Sequence, residues 1–281
     1  MAINNFISTV WSETLYEELD KQYVAVRNCN RAFDGDISEM GSRVKICGVG
    51  EVNVFDYTKN TDMGEVQTLS DTVVELDIDR ARAFNFQIDD VDRAQSNPRL
   101  MQAAMKVAAS ALANDADSYV FSLYNTVGSE KTVTDANVTS ESIIDDIIAA
   151  RELLYEGNVG DNSEIVIEVS PQSASLILKA KVNLSNDAAD AALEKGVLGS
   201  IAGCKIYVSN NVKTVEGSSS IRHKCFVRTK RAIAFADQLS EINAYRPEHR
   251  FADAVKGLHL YGAKVIYPNE LVLLDVGFNT K

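Results

Sequence analysis

The stretch of sequence that decides the fold is SNPRLMQAAMKVAASALA, which covers residues 96–113. Ser96-Asn97-Pro98 is typical of a helix start, because a short polar side chain caps free amide groups and Pro fits the first helical position. The following residues are rich in Ala, the strongest helix former, and the pattern continues to about Tyr124. The sequence therefore predicts a helix that is long for a globular protein. Its small side chains would let other elements pack closely against it.

Upstream of this helix, the sequence follows the period of two that is typical of β-strands. Two runs, at residues 44–55 and 72–88, alternate between apolar and polar residues. Polar, turn-forming residues at 56–65 separate them. The pattern predicts a long β-hairpin with its tip at residues 56–65. Because an isolated two-stranded hairpin is marginally stable, we expect this one to lie on another surface.

The first residues predict a short amphipathic helix. Apolar residues recur at helical spacing between Phe6 and Tyr23, with acidic residues between them. The apolar stripe includes Val10, Trp11, Leu15 and Leu19. A helix with one apolar face must dock on something. The stripe is therefore expected to be covered, either by the chain's own long helix or by another molecule.

Downstream of the long helix, alternating patterns predict a mixed α/β region. Thr139-Ser140-Glu141-Ser142 begins a helix that runs to Leu154 and stops near Gly157. The other predicted elements are a strand at 164–169, a helix at 173–182, strands at 206–208 and 225–227, an exposed loop at 212–220, and closing strand-like runs at 241–247, 254–267 and 271–276.

The composition excludes several classes of protein. Of the 281 residues, 46% are hydrophobic and 24% charged, which is a globular composition. No stretch approaches the roughly 18 consecutive apolar residues of a membrane helix. The N-terminus has no signal-peptide features, so no membrane partner is expected. With 28 Lys and Arg against 40 Asp and Glu, the net charge is −12. We therefore do not expect the whole surface to grip nucleic-acid phosphates.

No motif predicts a catalytic residue, a cofactor site or a metal site. The four cysteines form no C-x-x-C pair and are interpreted as reduced, buried thiols: Cys29, Cys47, Cys204 and Cys225. His223 is interpreted as part of a solvated basic stretch, His249 as a turn residue and His259 as a half-buried strand residue.

Two glycines have a spacing close to that of a phosphate-binding loop. Gly257 and Gly262 are followed by Ala263-Lys264-Val265, whereas a phosphate-binding loop needs Lys and then Ser or Thr. The flanking residues also alternate as in a strand. We predict instead a strand with two glycines at which another segment of the chain approaches closely.

The order of segments is amphipathic arm, long hairpin, long helix, mixed α/β region and closing strands. The stretches that carry a resemblance are WSETLYEEL (11–19), GDI (35–37), MGSRVKI (40–46), LDID (76–79), FNFQIDDVDRAQS (84–96), GSIAGCKIYVSNN (199–211), AIAFA (232–236) and VKGLHLYGAKV (255–265). With these stretches in this order, the sequence resembles the major capsid proteins of tailed bacteriophages with the HK97 fold, and within them the P22-coat-like family. The resemblance implies an α+β, HK97-like capsid fold and covers nearly the whole chain.

The resemblance also implies named parts of the subunit. These are an N-arm at residues 1–40, an E-loop β-hairpin at 41–90, a P-domain with the long spine helix at 91–128 and 238–267, and an A-domain at 129–237 and 268–281. The sequence departs from the family in two ways. It begins directly with the arm, so no fused scaffolding segment is expected, and its α/β region is too short for the large inserted domain of the family's best-known member.

The function that the resemblance implies is a structural one. Pentamers and hexamers of the chain would form the icosahedral head shell around double-stranded DNA, which they would contact weakly. A separate scaffolding protein and a portal protein are expected as partners, and the resemblance allows a decoration protein. The chain would be assembled in the host bacterial cytoplasm and reside in the virion capsid. It would not be an enzyme. The candidate inter-subunit residues are Val10, Trp11, Leu15 and Leu19 on the arm and Lys59, Asp62 and Glu65 at the hairpin tip.

Two alternatives remain at this point. The first is an encapsulin-like nanocompartment shell, which a bound cargo peptide or enzyme would identify. The second is a soluble α/β enzyme with an unrecognised site. For the capsid, we expect no covalent cross-link at Lys59, because the sequence shows no Asn partner with a catalytic carboxylate, and a single Lys at a hairpin tip is usually solvated or paired.

Overall fold

A computed structural model describes residue 15 and residues 17–33, 43–49, 56, 59, 71–89, 100–160, 163–184, 199–217 and 220–279. Three long helices in these ranges are α1 (Leu100–Ser122), α2 (Ser142–Glu156) and α3 (Pro171–Leu184). The strands are β1 (Arg43–Val49), β2 (Asp71–Asp77), β3 (Arg80–Asp89), β4 (Thr132–Asp135), β5 (Ile165–Val169), β6 (Ser200–Ile201), β7 (Cys204–Val208), β8 (Lys213–Glu216), β9 (Ser220–Thr229), β10 (Ile233–Tyr245), β11 (Ala252–Val265) and β12 (Leu271–Asn279). Residues 17–22 of the arm are also helical.

The largest layer is a seven-stranded sheet with the order β4-β12-β9-β5-β7-β6, in which β8 also pairs with β9. Helix α2 packs on one face and contacts β12, β4 and β9, with α3 beside it. Helix α1 reaches the other face, where Phe121 stacks on Phe226 at 5.6 Å between ring centroids. The predicted spine helix, the helix after Thr139 and the strand at 164–169 are all confirmed. None of the helices in the described ranges is long and apolar enough to cross a membrane.

A second sheet has the order β10-β11-β3 and corrects the predicted hairpin. The sequence pattern treats residues 72–88 as one returning strand, but β2 pairs with β1 and β3 pairs with β11. The chain changes partner at Ile78 and Asp79. Side-chain alternation is the same in both strands, so the pattern could not show this change. Residues 80–89, which the resemblance assigns to the E-loop, therefore lie in the three-stranded sheet. Residues 233–237, the first part of β10, lie in the same sheet, although the resemblance assigns them to the A-domain.

The base of the β1–β2 hairpin rests on this second sheet. Val44, Ile46, Leu76 and Ile78 are buried against Ala234, Ala236 and Leu260 in a small core of their own. A Cβ atom at Gly262 would collide with the carbonyl oxygen of Asp77, and one at Gly257 would lie 2.5 Å from the Phe84 ring. The prediction of two close-approach glycines is confirmed. Gly262 lets the hairpin backbone lie directly on β11.

The predicted exposed loop at 212–220 is wrong in part. Lys213–Glu216 forms β8, which pairs antiparallel with β9 from Lys213↔Lys224 to Glu216↔Ile221. The segment is short and polar and lies next to a run of serines, so the local pattern resembles a loop. It becomes a strand because β9 offers it a free edge.

Candidate assembly surfaces

One short turn helps to fix the arm to the body of the subunit. The backbone amides of Val24, Ala25 and Val26 donate to the Asp117 carboxylate on α1, at 2.9, 3.0 and 3.0 Å. At the other end of the turn, the Arg228 guanidinium on β9 donates to the carbonyl oxygens of Ala25 and Asn28, at 3.0 and 2.7 Å. A short helical turn leaves backbone amides unpaired at one end and backbone carbonyls unpaired at the other. Here the Asp117 carboxylate binds the amides and the Arg228 guanidinium binds the carbonyls.

Buried charges make this attachment sensitive to substitution. Arg228 and Glu168 are both fully buried, and Arg228 donates to the two Glu168 carboxylate oxygens at 3.0 and 2.9 Å. Asn28 donates to the same carboxylate at 3.0 Å. Burial raises the pKa of Asp117 to about 6, although the three backbone amides act to lower it. A buried pair of this kind is costly to break, because the remaining charge is left without its partner. We call Asp117, Arg228, Glu168 and Asn28 the arm clamp.

A second polar cluster holds the arm where it crosses β10. The Asp237 carboxylate accepts from the Tyr23 hydroxyl at 3.0 Å and from Arg31 at 3.0 Å, and its Oδ2 lies 3.1 Å from Nε2 of His259. Burial opposes the ionisation of Asp237, but the hydrogen bond to His259 and the nearby charges keep its pKa below the usual value. Burial also raises the pKa of the Tyr23 hydroxyl. The arm is thus attached by ionised and polar groups on both α1 and β10.

The structure describes two of the four candidate inter-subunit residues of the arm. Leu15 and Leu19 are 0% and 1% exposed and belong to the main core, which also contains Met105 and Leu112 of α1. Their apolar surface is used within the subunit, so neither offers area to a neighbour in this conformation. Val10 and Trp11 lie outside the described residues. Leu15 and Leu19 are thus buried within the subunit's own core. The role of the whole stripe between subunits stays a prediction.

The hairpin tip is described at two positions. Lys59, one of the candidate inter-subunit residues, is exposed, and so is Asp56. Asp62 and Glu65 lie outside the described residues. The contacts of the tip with other subunits therefore remain a prediction from the resemblance.

The structure also locates the residues considered for chemistry. Cys29, Cys204 and Cys225 are buried free thiols, as predicted, and burial raises the pKa of Cys29 and of Cys225 to about 11. His249 lies in an exposed turn, as predicted. In the described part of the chain, no group of three or more His, Cys, Asp or Glu side chains could hold a metal ion. The side chain of Cys47 lies outside the described residues.

Two histidine interpretations need correction. His223 is 7% exposed and meets the Phe278 ring edge to face at 4.7 Å between centroids, so it is not part of a solvated stretch. In a strand, successive side chains point to opposite faces, so Arg222 and Lys224 lie on the other face and bind Asp275. His259 is fully buried rather than half-buried.

Sequence reasoning missed the arm clamp. Glu168 is the one charge in the apolar strand β5, and Arg228 directly follows the apolar run Cys225-Phe226-Val227 of β9. Asp117 lies in α1 two residues after Asp115. Charged residues are almost never fully buried unless they are paired, so their positions carried a signal. The signal could not identify the partners, because these residues are far apart in sequence.

Comparison with solved structures shows what this arrangement is similar to. A chain from Mycobacterium phage Che8 is 28% identical, with a TM-score of 0.72 over 90% of this chain and 91% of that chain. The capsid of cyanophage P-SCSP1u is 15% identical, with a TM-score of 0.65 over 86% and 85%. No protein-family model and no curated protein matches the sequence.

Each of these two similarities covers more than four-fifths of both chains. The class of protein that the fold defines is therefore the HK97-like capsid proteins. Within that class, the solved structures to which the chain is similar include phage capsids. The encapsulin-like alternative is not favoured: a virus-like particle from Pyrococcus furiosus is 11% identical, with a TM-score of 0.57 over 94% of this chain and 97% of that chain.

Proposed function

We propose that this chain is the major capsid protein of a tailed bacteriophage, and that its copies form the icosahedral head shell around double-stranded DNA. The observation that carries the proposal is the 28% identity to the Che8 phage chain across nine-tenths of both chains. The order of arm, hairpin, spine helix and α/β sheet supports it. The assignment to the P22-coat-like family within these proteins stays a prediction.

A shell protein works through interface free energies rather than turnover. Permanent interfaces commonly bury about 2,000–5,000 Å². The hairpin has an exposed tip and a base that is fixed in the subunit, so it is suited to reach a neighbouring copy. Many such contacts together give avidity, although each contact is weak. An acidic wall, with a net charge of −12, would contact packaged DNA weakly. The protein needs no cofactor, metal or catalytic residue for this role.

Further partners belong to the proposal. We expect pentamers and hexamers, a separate scaffolding protein that directs curvature, and a portal ring, with a decoration protein as an optional addition. Self-repulsion between acidic subunits supports the need for a scaffold, because net charge of one sign opposes close packing. Assembly would take place in the host bacterial cytoplasm, and the mature chain would reside in the virion capsid.

Negative-stain electron microscopy of the purified chain tests the proposal. The expected result is closed shells, formed alone or with scaffolding protein, and denaturing electrophoresis should show one band near 30.8 kDa. Discrete small oligomers at every salt and scaffold concentration would contradict the shell. A ladder of covalent multimers would contradict the absence of a cross-link at Lys59.

A further inference from the structure

One edge of the seven-stranded sheet carries a group of cations. Lys205 on β7 and Lys230 after β9 both bind the Glu164 carboxylate, at 2.6 and 3.0 Å. The Arg27 guanidinium, which is exposed, lies over the Tyr207 ring at 5.7 Å from its centroid. Lys205 and Lys230 therefore share one carboxylate, and with Arg27 these four described residues carry a formal charge of +2 on a protein of net charge −12. We call Arg27, Lys205, Lys230 and Glu164 the basic edge.

The opposite edge of the same sheet carries carboxylates. Asp135 ends the edge strand β4 and accepts from the Ser142 hydroxyl at 2.7 Å. Glu141 and Asp145 are exposed at the start of α2, and Asp146 is half-buried beside Asp135. We call these four residues the acidic edge. Among the described residues, no Lys or Arg forms an ion pair with any of them.

The cations closest to the acidic edge in sequence are engaged elsewhere. The Lys131 ammonium donates to the carbonyl oxygen of Leu153 at 3.0 Å, and Arg151 donates to the Tyr155 hydroxyl. Within the described ranges, the acidic edge thus has no ion-pair partner to compensate its charge. The pKa of Asp146 is raised to about 6, by burial first and then by Asp135 and Asp145, and its Oδ2 is buried with no hydrogen-bond partner. A cation brought by another molecule would relieve this repulsion.

The sheet order places β4, which carries Asp135, and β7, which carries Lys205, toward opposite ends of the seven-stranded sheet. Strands β12, β9 and β5 lie between β4 and β7, which corresponds to about 19 Å at the usual strand spacing. Two different, complementary surfaces on opposite sides of a subunit are what a head-to-tail contact requires, and such contacts close into rings when the rotation permits. A two-fold contact would instead use one self-complementary surface.

Resting on the proposed shell function, we propose that the basic edge of one copy docks on the acidic edge of the next copy and that this charge pairing closes the rings of the shell. The occupant of the basic edge is therefore a second copy of this chain. Complementary charges disfavour incorrectly aligned contacts between subunits and orient the subunits as they approach. The contact would therefore set the direction in which subunits add to a ring.

Charge reversal at exposed positions tests this interface. The basic-edge variant carries Arg27→Glu and Lys205→Glu, the acidic-edge variant carries Glu141→Lys and Asp145→Lys, and a swap variant carries all four changes. Lys213→Glu with Glu216→Lys, on exposed positions of β8, is the matched control. Thermal melts of unassembled subunits check folding, and sedimentation with negative-stain microscopy measures the assembled fraction.

Each single-edge variant should lose assembly by at least about tenfold, since like charges then face each other at every contact. The swap variant and the β8 control should assemble like the unchanged protein. A one-to-one mixture of the two single-edge variants should form even-numbered rings with alternating subunits. Five-fold rings from this mixture should be depleted, because an odd ring forces one mismatched contact.

Other results would overturn the inference. Normal assembly of both single-edge variants would show that these edges do not meet. Normal assembly of the basic-edge variant with reduced retention of packaged DNA would assign that edge to nucleic acid. If the unchanged chain forms neither rings nor shells under any condition, the proposed function itself fails, and this interface with it.

Discussion

The arm and the hairpin are both packed on the body of the subunit through apolar side chains, but the arm turn is held in addition by buried charges. The arm turn is held by the arm clamp, in which Asp117 and Arg228 bind opposite ends of the turn. The hairpin base is held by apolar side chains on Ala234, Ala236 and Leu260. Directional contacts between buried charges fail when one partner is lost, whereas apolar contact is non-directional and is lost in proportion to its area. The arm turn should therefore be more sensitive to the loss of one charged partner than the hairpin base is to the loss of one apolar contact.

The largest expected effect is on the arm. Arg228→Met leaves Glu168 buried without its ion-pair partner, so the free energy of unfolding of the unassembled subunit should fall by about 3–5 kcal/mol. Urea denaturation followed by circular dichroism measures it. Adding Glu168→Leu should recover part of the loss, because no unpaired charge then remains.

Arg43→Met provides the matched hairpin control for that experiment. Arg43 pairs with Glu75 and Asp77 on the surface of the hairpin, at 3.1 and 3.0 Å. Exposed pairs contribute about 0–1 kcal/mol, so this variant should be close to the unchanged protein. Equal losses for Arg228→Met and Arg43→Met would remove the distinction between the two attachments.

The next effect is on the hairpin base. Gly262→Ala places a methyl group against the carbonyl oxygen of Asp77, and relief requires the hairpin to shift on β11. Overpacking of this kind costs about 1–3 kcal/mol. We expect a moderate fall in melting temperature with a larger fall in shell yield. The control is Gly160→Ala, where the nearest atom to an added Cβ is Ser163 Oγ at 4.0 Å. Equal behaviour of the two variants would argue against close contact at Gly262.

The arm clamp should also respond to pH. The pKa of Asp117 is about 6 in the folded subunit, against an ordinary value of 3.8, because burial disfavours the charged form. Protonation therefore stabilises the folded state, and this contribution is fully present below the lower value and lost as pH rises to about 6. As pH rises across this window, the free energy of unfolding of the unchanged protein should fall by about 1–3 kcal/mol relative to that of Asp117→Asn. Denaturation series at several pH values measure the difference, and parallel curves would contradict burial as the cause.

The smallest effect on subunit stability is expected at the hairpin tip. Replacing residues 58–65 by a short Gly-Ser turn leaves the hairpin base and its small core in place. The unfolding free energy of the subunit should change by less than about 0.5 kcal/mol, as is usual for exposed positions. Shell yield should fall strongly if residues 44–54 and the tip lie across a neighbouring subunit. Unchanged shell yield and shell stability would refute that role for the tip.

The elements that the sequence predicted well are those with a strong local signal. The Ala-rich segment after Pro98 is helical from Leu100, and the residues after Thr139 form α2. Gly257 and Gly262 were predicted as close-approach positions, because a glycine inside an alternating strand leaves room for a neighbour. Propensity, capping and period are properties of neighbouring residues, so they can be read along the chain.

The order of these elements was also sufficient to indicate an HK97-like capsid protein, since resemblance depends on segments in sequence. What covers the arm's apolar stripe could not be decided that way. Leu15 and Leu19 have the same pattern whether they meet α1 of their own subunit or another molecule, and only tertiary packing placed them in the main core. The same holds for the strand at residues 72–88, which alternates throughout but divides between two sheets at Ile78 and Asp79. Periodicity determines which face of an element is apolar, and only the folded chain determines which surface that face meets.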